Sequence, residues 1–125
     1  MNPFCWIEIY VEDMPRAVKF YEEVLQVKLT PMPAPDEVSG MQMSAFPSQY
    51  PGDNASGALV KMDGFGPGGS GTIAYFSCED CAVEIGRVAA AGGKVYQEKF
   101  SISEHGFIGI CGDSEGNTIG FHSLK

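Results

Sequence analysis

Trp6-Ile7-Glu8-Ile9-Tyr10-Val11-Glu12-Asp13 and Ile73-Ala74-Tyr75-Phe76-Ser77-Cys78-Glu79-Asp80 are two versions of one pattern, 67 residues apart. Each reads as an apolar strand that runs into an Asp placed to cap a helix. Behind the first Asp, Ala17, Phe20, Tyr21, Val24 and Leu25 recur at the helical period, and behind the second, Ala82, Ile85, Val88 and Ala89 do the same. A duplicated strand–helix unit predicts a pseudo-symmetric domain that builds its site between the two copies.

The rest of the chain fits around these units. In the first half, residues 26–30 start a strand, and Pro31 to Gly40, with three prolines, is a loop or a frayed hairpin. Met41–Phe46 and Gly57–Met62 are strands, separated by a loop from Pro47 to Ser56 that holds Asp53-Asn54. Asp63 to Gly71 contains five glycines and a proline and falls between the copies as a linker. In the second half a strand spans about 72–78 and Asp80 caps a helix over about 81–91, which Gly92-Gly93 ends with a left-handed residue. Lys94–Gln97, Gly106–Cys111 and Thr118–Ser123 follow as strands, the last two joined by a turn at Asp113-Ser114-Glu115-Gly116-Asn117. The order is βαβββ twice. It predicts one α+β domain over 1–125, with modules at about 1–63 and 72–125 and a linker at 63–71.

Composition narrows the function. A chain of 125 residues, 44% hydrophobic, can bury a real core as one domain. Sixteen acidic against eight basic residues, a net charge of -8, argue against nucleic acid and against an anionic membrane surface. No run approaches the length of a membrane span. Met1-Asn2-Pro3-Phe4-Cys5-Trp6 has neither a basic nor an apolar leader region, so no signal peptide and a cytoplasmic location are expected. Cysteines at 5, 78, 81 and 111 are too sparse for a disulfide scaffold and are expected to be free thiols.

The chain resembles the vicinal oxygen chelate superfamily, which includes glyoxalase I, bleomycin-resistance and extradiol dioxygenase proteins. The similar residues are Asp13-Met14-Pro15-Arg16-Ala17 with Phe20-Tyr21 and Val24-Leu25, then Asp80, then Val88 with Ala91-Gly92-Gly93, then Asp113-Ser114-Glu115-Gly116-Asn117 with Ile119. They span nearly the whole chain. The ending Glu115 to Ser123 looks like that of small stand-alone bacterial members without an assigned reaction. The resemblance implies two βαβββ modules whose curved mixed sheets enclose a cavity, usually in a homodimer. It also implies four metal-ligand positions, which motif spacing places at Trp6, near Lys61, at Ile73 beside Thr72, and at Gly120. None of these side chains is a ligand for zinc, nickel or iron, so neither a metal nor another cofactor is expected.

Strand alternation supplies the candidate site. If Trp6 faces the cavity, so do Glu8 and Tyr10; if Gly120 does, so does His122. Glu8 and Lys61 are expected side by side where the metal would lie, either as a polar anchor or general base, or as a structural ion pair. His122 is either a hydrogen-bonded core residue or a binding or proton-transfer group. Trp6, Tyr10 and Tyr75 are expected as aromatic walls. His105 reads as a solvated turn residue. Cys78-Glu79-Asp80-Cys81 reads as a strand-end and a helix-face cysteine rather than a redox pair. Met32, Met41, Met43 and Met62 with Phe46, Tyr50 and Phe65 line either a pocket or the core. Two functions remain: a protein that binds a small, partly apolar molecule without metal, or a lyase or dioxygenase-type enzyme acting on a small oxygenated substrate.

Overall fold

The structure is a computed structural model that describes residues 4, 6–33, 40–49, 55–69 and 71–125; Cys5, Tyr50 and Asp53-Asn54 lie outside them. The first module is β1 (Trp6–Tyr10), α1 (Met14–Leu25), β2 (Thr30–Met32), β3 (Gln42–Ala45) and β4 (Ser56–Lys61). The second is β5 (Ala74–Ser77), α2 (Cys81–Val88), β6 (Lys94–Ser101), β7 (Phe107–Gly112) and β8 (Thr118–Ser123), with a 3-10 turn at Ser103–His105. Each module forms a curved, four-stranded mixed sheet, in the orders β1-β4-β3-β2 and β5-β8-β7-β6. The first strand of each module runs parallel to the last, and the other pairings are antiparallel. This is the α+β, βαβββ-twice fold expected from the sequence.

Both helices start as their Asp residues predict. The Asp13 carboxylate accepts from the Arg16 amide at 3.0 Å, and that of Asp80 from the Ala82 amide at 3.0 Å. Three boundaries differ from expectation: β6 runs on past Gln97 to Ser101 because β7 pairs with it that far, and two others shift for local reasons. Gln26 takes a left-handed conformation (φ 55°) at the end of α1, so the next strand begins at Thr30 rather than at 26. Pro31 enters that strand because β2 is the edge of its sheet, where a missing N–H is harmless. In the second module α2 ends at Val88, and Gly92 (φ 102°) closes the turn that follows, with the Gly93 amide bonded to the Val88 carbonyl at 2.9 Å.

The core lies between helices and sheets and is shared by the modules. Ile9, Phe20, Tyr21, Val24 and Leu59 join Ile85, Val88, Ile119 and Phe121 in one buried cluster. The Tyr21 ring meets Phe46 of its own module and Phe76 of the other, with centroids 5.5 and 5.8 Å apart. The turn at 113–117 fastens the modules further. Asp113 is buried and accepts the Tyr21 hydroxyl at 2.7 Å, as well as both N–H groups of Asn117 and the Glu115 amide. Asn117 Nδ2 also donates to the Tyr10 carbonyl at 2.9 Å. Glu115 takes Arg16 at 2.6 and 2.8 Å and the amides of Glu12 and Asp13 at 3.1 and 3.0 Å.

Burial alone would raise the Glu115 pKa, but the donors from Arg16, Asp13, Ser114 and Glu12 outweigh it and hold the carboxyl down, from 4.5 to about 2. A carboxylate whose pKa falls on folding stabilises the fold above its unfolded pKa and loses that contribution as the pH drops through its folded one. Thermal melts are therefore expected to show stability falling between pH 4.5 and about 2. Glu115→Gln is expected to melt lower at pH 7 and to flatten that acid slope. An unchanged slope in the variant would show that another group carries it. Tyr21→Phe removes one of several donors to buried Asp113 and is expected to cost about 1–2 kcal/mol in urea unfolding.

Candidate functional site

The helices cover one side of both sheets, which leaves the other faces for a ligand. Gly109 and Cys111 face α2: a Cβ on Gly109 would run into Ile85. Their neighbours Ile108, Ile110 and Gly112 therefore point to the inner face, where the Tyr96 ring lies over Gly112 and the Tyr75 ring over Gly120. In the first sheet Ile9 and Leu59 pack toward α1, so Trp6, Glu8, Tyr10, Ala58, Val60 and Met43 share the inner face.

The expected alternation along β1 is present. The Trp6 indole N–H donates to one Glu8 oxygen at 3.2 Å and the Tyr10 hydroxyl to the other at 2.8 Å. The hydrogen bond to Glu8 is also the main reason the Tyr10 phenol is raised above its ordinary pKa, with burial and the carboxylate charge adding to it. Phe65, from the segment between the modules, places its ring 5.8 Å from that of Tyr10. Glu8 and Tyr10 line a cleft of about 210 Å³ with Gly66, Gly68, Thr72, Ala74 and Asn117. A second cleft, of about 350 Å³, is lined by Ile7, Ile9, Phe46, Ala74, Tyr75 and Phe76. Both include Ile7, Ile9 and Ala74, so they lie along one seam between β1 and β5.

The expected pairing of Glu8 with Lys61 does not occur. In the β1–β4 register Glu8 lies opposite Ala58 and Tyr10 opposite Val60. Lys61 is an odd number of residues from Ala58, so it points to the other face, beside Glu12, Asp13, Arg16 and Gln42. This register requires glycine at 57, because a Cβ there would run into the Ile7 carbonyl oxygen. Motif spacing located the strand but not its face. Among the described residues the Glu8 carboxylate has aromatic donors and no cation.

His122 lies on the inner face of the second sheet, half-buried, with Nε2 2.7 Å from the His105 carbonyl oxygen. It opens into a cleft with Ser77, Cys78 and Leu124, separate from the one that holds Glu8. His105 is exposed on its 3-10 turn. Cys78 and Cys81 are free. Burial, with the nearby Glu84 carboxylate, pushes the Cys78 thiol up to about 12, which opposes nucleophilic or redox chemistry. The sequence left Phe65 as either a pocket or a core residue; it is 56% exposed and stands against Tyr10, so it is not core.

A catalytic metal does not fit these residues. Of the positions that motif spacing gives, Trp6 carries an indole, Ile73 an alkyl group and Gly120 a hydrogen, and Lys61 faces away, which leaves the isopropyl group of Val60 on the inner face. Among the described residues no three His, Cys, Asp or Glu side chains come together as a ligand set.

Comparison with known proteins agrees with this fold. A glyoxalase I mutant from Zea mays superposes with a TM-score of 0.75 at 20% identity, over 98% of this chain and 46% of that one. The present chain thus spans about half the length of the maize protein. A glyoxalase-related enzyme from Fulvimarina pelagi gives 0.72 at 14% identity, over 98% and 88% of the two chains. TnmS3, an antibiotic binding protein from Streptomyces sp. CB03234, gives 0.70 at 22% identity, over 100% and 98%. At these identities the likeness is one of fold. No curated protein matches the chain. The model of the Glyoxalase/Bleomycin resistance protein/Dioxygenase superfamily matches residues 4–121, and the chain belongs to that superfamily.

Proposed function

We propose that this protein is a single glyoxalase-like domain that binds a small, partly apolar molecule at the seam between its modules, without a metal ion. The observation that carries the reading is the pair of clefts along one seam, an apolar one of about 350 Å³ and a smaller one of about 210 Å³ that the oriented carboxylate of Glu8 lines. Apolar walls with a few fixed polar groups are the usual make-up of a small-molecule site. The antibiotic-binding role of TnmS3, a protein of similar fold, points the same way. The alternative, a lyase or dioxygenase-type enzyme of the superfamily, needs a ligand set for a metal that Trp6, Lys61 or its neighbour Val60, Ile73 and Gly120 do not supply.

A neutral apolar dye, 1-N-phenylnaphthylamine, tests the cleft. It is expected to bind saturably at one site per chain, and chelator is expected to leave its binding unchanged. Ile7→Gln, at a 41% exposed wall position, is expected to weaken it several-fold while the melting temperature holds. No saturable binding, or stoichiometric zinc, nickel, iron or manganese on elemental analysis together with loss of binding in chelator, would overturn the reading.

The same reading includes a homodimer in the cytoplasm. Among the described residues no helix is long and apolar enough to cross a membrane. Trp6, Tyr75 and Tyr96 lie 43%, 48% and 57% exposed on the inner faces of one chain, an arrangement that favours cover by a second copy. Light scattering at micromolar concentration is expected to give twice the 13.4 kDa chain mass, and a monomer mass would count against the dimer.

A further inference from the structure

We infer that Glu8, Trp6, Tyr10 and Phe65 form a cation-binding corner of this ligand site, and that the ligand carries a protonated or quaternary amine. The inference rests on the ligand-binding reading above and specifies its chemistry.

Among the described residues no cation balances the charge of Glu8. Glu8 is fixed by two neutral donors, the Trp6 indole and the Tyr10 hydroxyl, one on each carboxylate oxygen. These donors orient the carboxylate without neutralising it. Each oxygen can accept a second hydrogen bond, so acceptor capacity remains. The basic side chains with resolved partners are committed elsewhere: Arg16 to Glu115, Lys99 to Asp80, Lys125 to Glu79 and Arg87 to the Val24 carbonyl. Lys61 points to the opposite face of the sheet. Lys19 and Lys28 lie together beside Glu22, Glu23 and Gln26, on and just beyond α1.

A ligand that fills the smaller cleft, which Glu8 and Tyr10 line, takes water away from Glu8. A carboxylate that loses water without gaining a positive partner is strongly destabilised, so a neutral apolar ligand alone fits this corner poorly. A cation removes that penalty. It also meets aromatic surface, because Phe65 stands 5.8 Å from Tyr10 on one side and Trp6 is bonded to Glu8 on the other. The net charge of -8 draws cations toward the chain from solution. An anionic ligand would meet repulsion at Glu8.

Trp6 is the only tryptophan, so its fluorescence reports on this corner directly. Two probes of similar shape, phenyltrimethylammonium and the neutral tert-butylbenzene, are titrated against the full chain, with displacement of 1-N-phenylnaphthylamine as a second readout. The cation is expected to change Trp6 emission saturably and to bind about tenfold more tightly than the neutral probe. Glu8→Gln, which keeps shape and acceptor, is expected to remove that preference, weakening the cation several-fold and, by relieving the desolvation of the carboxylate, tightening tert-butylbenzene rather than weakening it. Equal binding of the two probes, or a preference that survives Glu8→Gln, would overturn the cation corner and leave the apolar cleft standing. Failure of both probes to bind or to displace the dye would remove the cleft reading and the corner with it. If Glu8→Gln unfolds, Phe65→Leu at the exposed outer wall serves instead, with an expected several-fold loss for the cation only. Equal losses for both probes in that variant would overturn the inference.

Discussion

The two carboxylates of the 113–117 turn hold this molecule in register. Asp113 accepts four donors, one of them the hydroxyl of Tyr21 in the other module. Glu115 closes the N-terminal end of α1 by taking the Arg16 side chain and the amides of Glu12 and Asp13. Asn117 reaches the backbone of β1. A shared apolar core is non-directional and tolerates small shifts; these bonds are directional and do not. They tie β1 and α1 of the first module to the last turn of the second, beside the seam where the clefts lie.

The site follows from how each strand divides its residues. On β1, Ile9 goes to the core, whereas Trp6, Glu8 and Tyr10 go to the face the helices leave open. On β8, Ile119 and Phe121 are buried, with His122 on the other side. The open face thus concentrates aromatic rings around one anion. In a chain that places most of its charge on the outside, an anion held there by aromatic donors is the feature that distinguishes the site from ordinary surface.

Much of this was legible in the sequence, and the failures share one cause. Periodicity, the capping aspartates and Gly92-Gly93 gave the element order, because each is a local signal that tertiary packing did not override. The grouping of Trp6, Glu8 and Tyr10 was legible because alternation within one strand is local too. The partnership of Glu8 with Lys61 was not. It depends on pairing two strands about fifty residues apart, and a shift of one residue reverses the face. The close contact that this pairing requires, Gly57 against the Ile7 carbonyl, involves a side chain that is missing, and a missing side chain leaves no pattern to read. For Phe65 the sequence left pocket and core open, because its partner Tyr10 lies far along the chain and no local pattern names it.

The segment between the modules is not slack rope. Phe65 rests on Tyr10, and the Gly68 amide is bonded to the Asn117 side chain at 2.7 Å, so the connection is pinned to the first strand of one module and the final turn of the other. With both halves of one chain in a single core, a module cannot be traded to a neighbouring molecule by loosening the connection alone. The trade requires the whole chain to open. Any exchange of halves between two labelled populations would then run at the rate at which the shared core opens, not at the rate of linker motion.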